Sequence, residues 1–181
     1  MQEVSIIIVN GRNLMPKSIN YWRNDMRAAY FGSFDPFHNG HLDIIRKASK
    51  LFNEVYVVIG FNQAKKRSYS AEDMVSIINR VLLQNGLDNC HADICHGLAI
   101  RYCEEHDINI MVRGLRNNLD YNYEENIALA NKQINPSIET VYIRAELISL
   151  SSSVIREFYS YGEDVSMYVP QQVLSYMDKK S

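Results

Sequence analysis

The chain is poor in cysteine, nearly neutral and without a long apolar run, and each shortage excludes something. Its three cysteines, Cys90, Cys95 and Cys103, are spaced C-x4-C-x7-C. That spacing matches no common zinc pattern. An odd, sparse count suits a reducing compartment and free thiols rather than a disulfide framework. The formal net charge is −2, so the basic excess of a duplex-DNA binder is missing and no nucleic-acid partner is expected. A local anion site is still compatible with that total. No apolar run approaches the roughly 20 residues of a membrane span. The N-terminus does not read as a signal peptide: Glu3 sits where a positive region belongs, and the apolar stretch 4–9 is short and interrupted by Ser5. A cytoplasmic protein with no membrane partner is expected.

What is present is an ordinary globular composition, 46% apolar and 22% charged, over 181 residues, enough for one domain with a real core. Residues 1–25 fit poorly with the rest of the chain. They hold one short apolar stretch and then a polar segment with Pro16, Asn20 and Trp22. Met26 stands directly before the first clear strand and is expected to be a second possible start. The alternative is that residues 4–9 add an edge strand. The expected division is an extension over 1–25 and a single domain over 26–181.

From Met26 onward, strand-like and helix-like segments alternate. Strands are expected at 27–31, 54–60, 91–95, 108–112 and 139–144, where β-branched or continuous apolar runs are bounded by polar residues or glycine. Helices are expected at 40–52, from a Ser70 N-cap to about residue 83, at 98–106, at 121–133, from Ser151 onward and at 171–177. Asp73, three residues after Ser70, is expected to complete a capping-box variant. Five strands alternating with helices imply a doubly wound, Rossmann-like parallel sheet with helices on both faces. Ligands bind such sheets at the carboxyl ends of the strands, near a topological switch point.

Four motifs fall at those strand ends. GSFDPFHNGH, residues 32–41, comes directly after the first strand. Gly32 permits close backbone approach, and Gly40 opens the next helix without a blocking side chain. The helix N-terminus and its amides favour phosphate. His38 and His41, three apart, are able to share one side of the first turn and stabilise developing charge. Lys65 and Lys66 come after the second strand; a KKR loop alone is commonly just solvated, but here it sits on the ligand side. Arg113, Gly114, Leu115 and Arg116 come after the fourth strand and offer two guanidiniums for phosphate. Glu124, in the next helix, is a candidate to bind a sugar, to orient an arginine, or to form a surface ion pair. Ser151, Ser152 and Ser153 open a helix after the fifth strand, either as caps or as donors to a phosphate chain.

H-x-G-H after a first strand resembles the nucleotidylyltransferase superfamily signature, also seen in class I aminoacyl-tRNA synthetases. The chain is too short for a synthetase and lacks an anticodon-binding region. All four motifs together resemble the phosphopantetheine adenylyltransferase family, over nearly everything after residue 25. RGLR with the DYNYE helix after it is the most discriminating part. Three details differ: Ser33 and His38 stand where many members have threonine, and ELISLSSS lacks the tryptophan common before the serine run.

The resemblance implies transfer of the adenylyl group of ATP to 4′-phosphopantetheine, giving dephospho-coenzyme A and pyrophosphate, with Mg²⁺ and in a homohexamer. The substrate's own ionised phosphate would attack, so no protein base is required. Catalysis would be positioning plus electrostatic stabilisation. Carried over, His41 would stabilise the transition state. Ser33, Lys65, Arg113 and Leu98 or Ala99 would meet phosphopantetheine. Ser33, Phe34, His41, Gly114, Leu115, Arg116, Glu124, Ile148, Ser149, Leu150, Ser151, Ser152 and Ser153 would meet ATP. The implied metal ligands stay open. The alternative is a nucleotidylyltransferase with another phosphorylated acceptor, such as nicotinamide mononucleotide or glycerol 3-phosphate. A non-catalytic nucleotide-binding module is disfavoured by His41, Lys65, Arg113 and Arg116 occurring together.

Overall fold

A computed structural model describes residues 26–60, 66–115, 118–146 and 151–180. The expectations for residues 1–25, Lys65, Arg116, Ile148, Ser149 and Leu150 lie outside the described residues. The elements run β1 (Arg27–Gly32), α1 (Asn39–Leu51), β2 (Glu54–Gly60), α2 (Ala71–Gln84), β3 (Cys90–Cys95), α3 (Ala99–Glu105), β4 (Ile110–Leu115), α4 (Asn118–Ile134), β5 (Glu139–Arg144), α5 (Ser152–Ser160) and α6 (Gln171–Lys180).

The five strands form one parallel sheet in the order β3-β2-β1-β4-β5. The chain winds outward from β1 to β3, then crosses back to lay β4 on the other side of β1. The switch point is therefore between β1 and β4. Alternating strand residues face opposite layers. Ala28, Tyr30, Val55, Val57 and Ile59 pack with α1, α2, α5 and α6 through Ile44, Ile45, Ile78, Ile155 and Val173. Ala29, Phe31, Val58 and Met111 pack with Ile100, Tyr102 and Cys103 of α3, and Asn131 of α4 reaches Met111 on this same face. Both faces are covered, which is why β1 and β2 read as nearly continuous apolar runs. The doubly wound sheet matches the expectation.

Three local expectations are corrected. The fourth strand, expected at 108–112, lies at Ile110–Leu115. Ile108, buried at 2% exposure, instead ends α3: Asp107 adopts φ 53°, and Ile108 N–H donates to Cys103 O at 2.8 Å. That is a Schellman closure. The strand then continues through Arg113, Gly114 and Leu115, paired with Tyr142, Ile143 and Arg144. The capping box at Ser70 is half made. Ser70 Oγ accepts from Asp73 N–H at 3.2 Å, but the Asp73 carboxylate turns to Tyr176 of α6, whose hydroxyl donates to it at 2.7 Å. Finally, α1 opens at Asn39 rather than Gly40, with His38 as its N-cap.

Candidate active site

A cavity of about 350 Å³ opens at the switch point. Tyr30, Gly32 and Ser33 reach it from β1 and its loop, His38, His41 and Ile44 from the start of α1, Arg113 and Gly114 from β4, and Glu124 from α4. Ser151, Ser152 and Ser153 close it from α5. Three of the four sequence motifs thus converge on one space, because parallel strands on either side of the switch present their carboxyl ends to it.

The two histidines are ordered by the helix they begin. His38 Nδ1 accepts from Gly40 N–H at 3.1 Å. His41 Nδ1 accepts from His38 N–H at 3.2 Å. The rings stack with centroids 3.6 Å apart. An accepting Nδ1 in a neutral imidazole leaves the proton on Nε2. In that neutral form each ring carries its proton on Nε2.

This capping corrects one expectation. The first-turn amides of α1 do not stand open for a phosphate. Asn39 N–H donates to Tyr168 O at 2.9 Å, Gly40 N–H to His38 Nδ1, and His41 N–H to His38 O at 2.9 Å. The imidazoles cap the turn that those amides begin. Spacing alone puts the pair on one side of the turn, but gives no sign that the rings cap their own helix.

The loop between β1 and α1 is held tightly. Phe34 adopts φ 44° and is fully buried. Its ring lies against Tyr30, Phe37 and, edge-on at 4.8 Å, His41. A Cβ on Gly32 would sit 2.8 Å from that ring, so the close approach explains the glycine. Asp35, 7% exposed, accepts from the amides of Ser68 and Tyr69 at 3.0 and 2.9 Å. Its carboxylate also faces Arg156 Nη1 at 3.6 Å. Arg156 donates to Asp35 O as well, and Ser152 Oγ donates to Pro36 O at 2.9 Å.

On the facing side, Arg113 Nε lies 3.3 Å from Glu124 Oε2, with side chains 15% and 22% exposed. Of the readings left open for Glu124, the geometry shows an ion pair with an arginine, within the cavity rather than on the outer surface. The serines divide their work. Ser151 caps α5 by accepting from Val154 N–H at 3.3 Å, Ser152 ties down the loop, and Ser153 is exposed at the cavity wall.

The remaining expected residues fall elsewhere. Phe34 does not line the cavity, since its ring is core. Leu115 ends β4, half-buried and paired with Arg144. Ala99 starts α3 and packs against the layer of Phe31 and Cys103, while Leu98 is 64% exposed beside it, and neither lines the cavity. Tyr30, Asp35 and Arg156 gain no role from sequence. Tyr30 reads as a buried strand residue, and nothing local shows that its hydroxyl approaches Gly114, where a Cβ would lie 3.3 Å from it. Among the described residues, no group of three or more His, Cys, Asp or Glu is placed to hold a metal ion.

The cytidylyltransferase-like family model matches residues 29–158, the span carrying every side chain of the cavity. A phosphopantetheine adenylyltransferase of Leptospira biflexa is 41% identical over 155 residues, 84% of this chain and 96% of the relative. Those of Thermotoga neapolitana and Streptomyces coelicolor are 40% and 39% identical, over 82% and 85% of this chain and 92% and 96% of theirs. A solved structure described as a putative nicotinate-nucleotide adenylyltransferase from Vibrio parahaemolyticus superposes with a TM-score of 0.64 at 16% identity, covering 83% of this chain and 90% of its own; it shares the fold. With this identity over nearly the full length of those relatives, the chain belongs to the phosphopantetheine adenylyltransferase family.

Proposed function

We propose that this protein transfers the adenylyl group of ATP to 4′-phosphopantetheine, releasing pyrophosphate and dephospho-coenzyme A in the synthesis of coenzyme A. The observation that carries the reading is the meeting of His41 and Arg113 across the switch-point cavity, in a chain whose relatives bear this activity's name.

The chemistry asks little of the protein beyond placement. A phosphate monoester is already anionic at neutral pH and attacks the α-phosphorus of ATP directly. The new P–O bond forms as the bond to the pyrophosphate oxygen breaks, and the electron pair leaves with pyrophosphate. The cost lies in bringing two anions together and in the charge on the α-phosphoryl oxygens. The Nε2–H of His41 supplies a fixed donor to those oxygens, and His38 presents a second one beside it. Donors already aimed at developing charge need no reorganisation, and one such donor is worth roughly 10²–10³ in turnover.

Ser33 and Arg113 hold the acceptor phosphate in this proposal, with Lys65 as a third contact. Glu124 aligns Arg113. Gly114, Leu115, Arg116 and Ser153 bound the nucleotide, together with Ser151, Ser152, Ile148, Ser149 and Leu150. Phe34 acts through its packing against His41. The pantetheine arm runs along the strand ends toward Ala99, at the start of the helix that follows β3. Mg²⁺ would come to the site on the phosphates of ATP, as a cation that favours phosphate and water oxygens. When bound it offsets the negative charge of the polyphosphate.

The proposal also takes residues 26–181 as one catalytic domain in the cytoplasm, with residues 1–25 as an appendage, and six copies assembled. No helix among the described residues is long and apolar enough to cross a membrane. Leu129 and Ile134 on α4 are 54% and 46% exposed, apolar surface that assembly would cover. Light scattering on the purified chain tests the assembly.

An acceptor screen tests the activity. Pyrophosphate release is monitored with ATP or CTP against phosphopantetheine, nicotinamide mononucleotide and glycerol 3-phosphate. Release with ATP and phosphopantetheine alone is expected. Release with either other acceptor, and none with phosphopantetheine, would sink the proposal.

A further inference from the structure

The loop expected to bind phosphate and the segment after β2 are joined by the arginine of the KKR run, to which the sequence assigns no role. Arg67 Nη1 donates to Ser33 O at 2.7 Å, and its Nε donates to Tyr69 O at 3.1 Å. Its third nitrogen, Nη2, is buried and without a hydrogen-bond partner among the described residues. One guanidinium therefore bridges the main chain of Ser33 and the stretch that begins at Lys66. One and two positions further on, the same stretch is secured differently, by the Ser68 and Tyr69 amides on the Asp35 carboxylate.

The two attachments have different consequences. The Asp35 contacts are part-buried and tied to Arg156, so they hold the fold. The Arg67 contact to Ser33 is exposed and comes directly after Lys65 and Lys66 in the chain. It sets where that part of the chain stands relative to Ser33. A guanidinium fork is suited to this, because its rigid plane makes two bonds while losing little freedom for each.

We infer that Arg67 is a positioning residue for the acceptor side of the reaction, locking the segment after Lys65 onto the main chain of Ser33 so that both loops meet the acceptor phosphate together. The inference rests on the adenylyl-transfer proposal for what the acceptor is. It does not place Arg67 on the substrate, and the residue is absent from the cavity lining. Ser33, Arg113 and Lys65 are the residues assigned to the acceptor phosphate, whereas Gly114, Leu115, Arg116 and the serines are assigned to ATP. Loss of the bridge should therefore weaken one substrate and spare the other. Because residues 68 and 69 remain on Asp35, the fold should survive.

The test uses the full chain with wild type, Arg67→Ala and Arg67→Lys. Steady-state rates are measured with each substrate varied, and thermal unfolding is recorded alongside. Arg67→Ala is expected to raise KM for phosphopantetheine about tenfold, the effect of one lost charge-assisted hydrogen bond. KM for ATP should change by less than about twofold, and Tm should hold within about 2 °C, as for a half-exposed side chain. Arg67→Lys, which keeps one donor to Ser33 O, should recover most of the loss. An unchanged acceptor KM, an equal rise in both KM values, or no recovery with lysine would overturn the inference. If the wild type forms no dephospho-coenzyme A, it is the proposed function that fails. Hydrogen exchange across residues 66–69 then decides the inference independently: faster exchange in Arg67→Ala supports the bridge, and unchanged exchange removes it.

Discussion

Replacing Gly32 by alanine tests how the core of the fold supports the histidine pair. The added Cβ would lie 2.8 Å from two atoms of the Phe34 ring. Ordinary carbon–carbon contact begins near 3.5 Å, so the ring must retreat by about 0.7 Å. It has nowhere to go. Phe34 is fully buried, with Tyr30, Phe37 and His41 at centroid distances of 5.5, 5.8 and 4.8 Å. Overpacking of this kind costs about 1–3 kcal/mol. Alanine returns about 0.4–1 kcal/mol by stiffening the unfolded chain. The net loss should be about 1–2 kcal/mol, a fall in Tm of roughly 2–8 °C for a domain of this size. Since Phe34 is edge-on to His41, the displacement should also reach that ring and, on the proposed role of His41, lower turnover about tenfold or more. Thermal unfolding by circular dichroism and steady-state kinetics on one preparation give both readouts. A Tm that rises, with turnover unchanged, would show that the ring yields freely and does not support His41.

Other expectations rest on the same contacts. His41→Ala should lower turnover by roughly 10²–10³ while ATP affinity, measured by calorimetry, changes only several-fold; unchanged turnover would remove its role. Asp35→Ala strands two amides and the facing Arg156, so urea unfolding should show a loss of about 2–4 kcal/mol, and a loss below about 0.5 kcal/mol would contradict the clamp. Burial pushes the Cys90 and Cys103 thiols up to about 12. Thiols in the unfolded chain ionise near 8.5, so the folded state binds more protons between those values and stability should fall as pH rises from about 9 to 12. A Cys90→Ala, Cys103→Ala double variant should show a shallower decline, and an identical decline would place the effect elsewhere.

The sheet is legible in the sequence because both faces are covered. Runs such as EVYVVIG (residues 54–60) carry an unbroken apolar signal, and β2 lies at Glu54–Gly60 as expected. The fourth strand is displaced from its expected span because Ile108 looks like a strand residue but ends a helix through Asp107. The polar end of β4 looks like a loop because Arg113 and Gly114 face a cavity. The site is legible where residue type and chemistry coincide, as at His41 and Arg113. It is illegible where work is done by long-range contact. Arg67 reaches Ser33 across 34 positions, and Arg156 reaches Asp35 across 121. No local pattern records such a pairing. The capping role of His38 and His41 also escapes a reading of sequence, because histidine is not among the usual N-cap residues.

The central claim concerns which bond of ATP is broken and what receives the fragment. Incubating the wild-type protein with magnesium, phosphopantetheine and ATP labelled at the α-phosphorus measures both at once. Label appearing in dephospho-coenzyme A, in step with unlabelled pyrophosphate, is the expected result. Label retained in ADP, or ATP left unconsumed while phosphopantetheine is present, would contradict it.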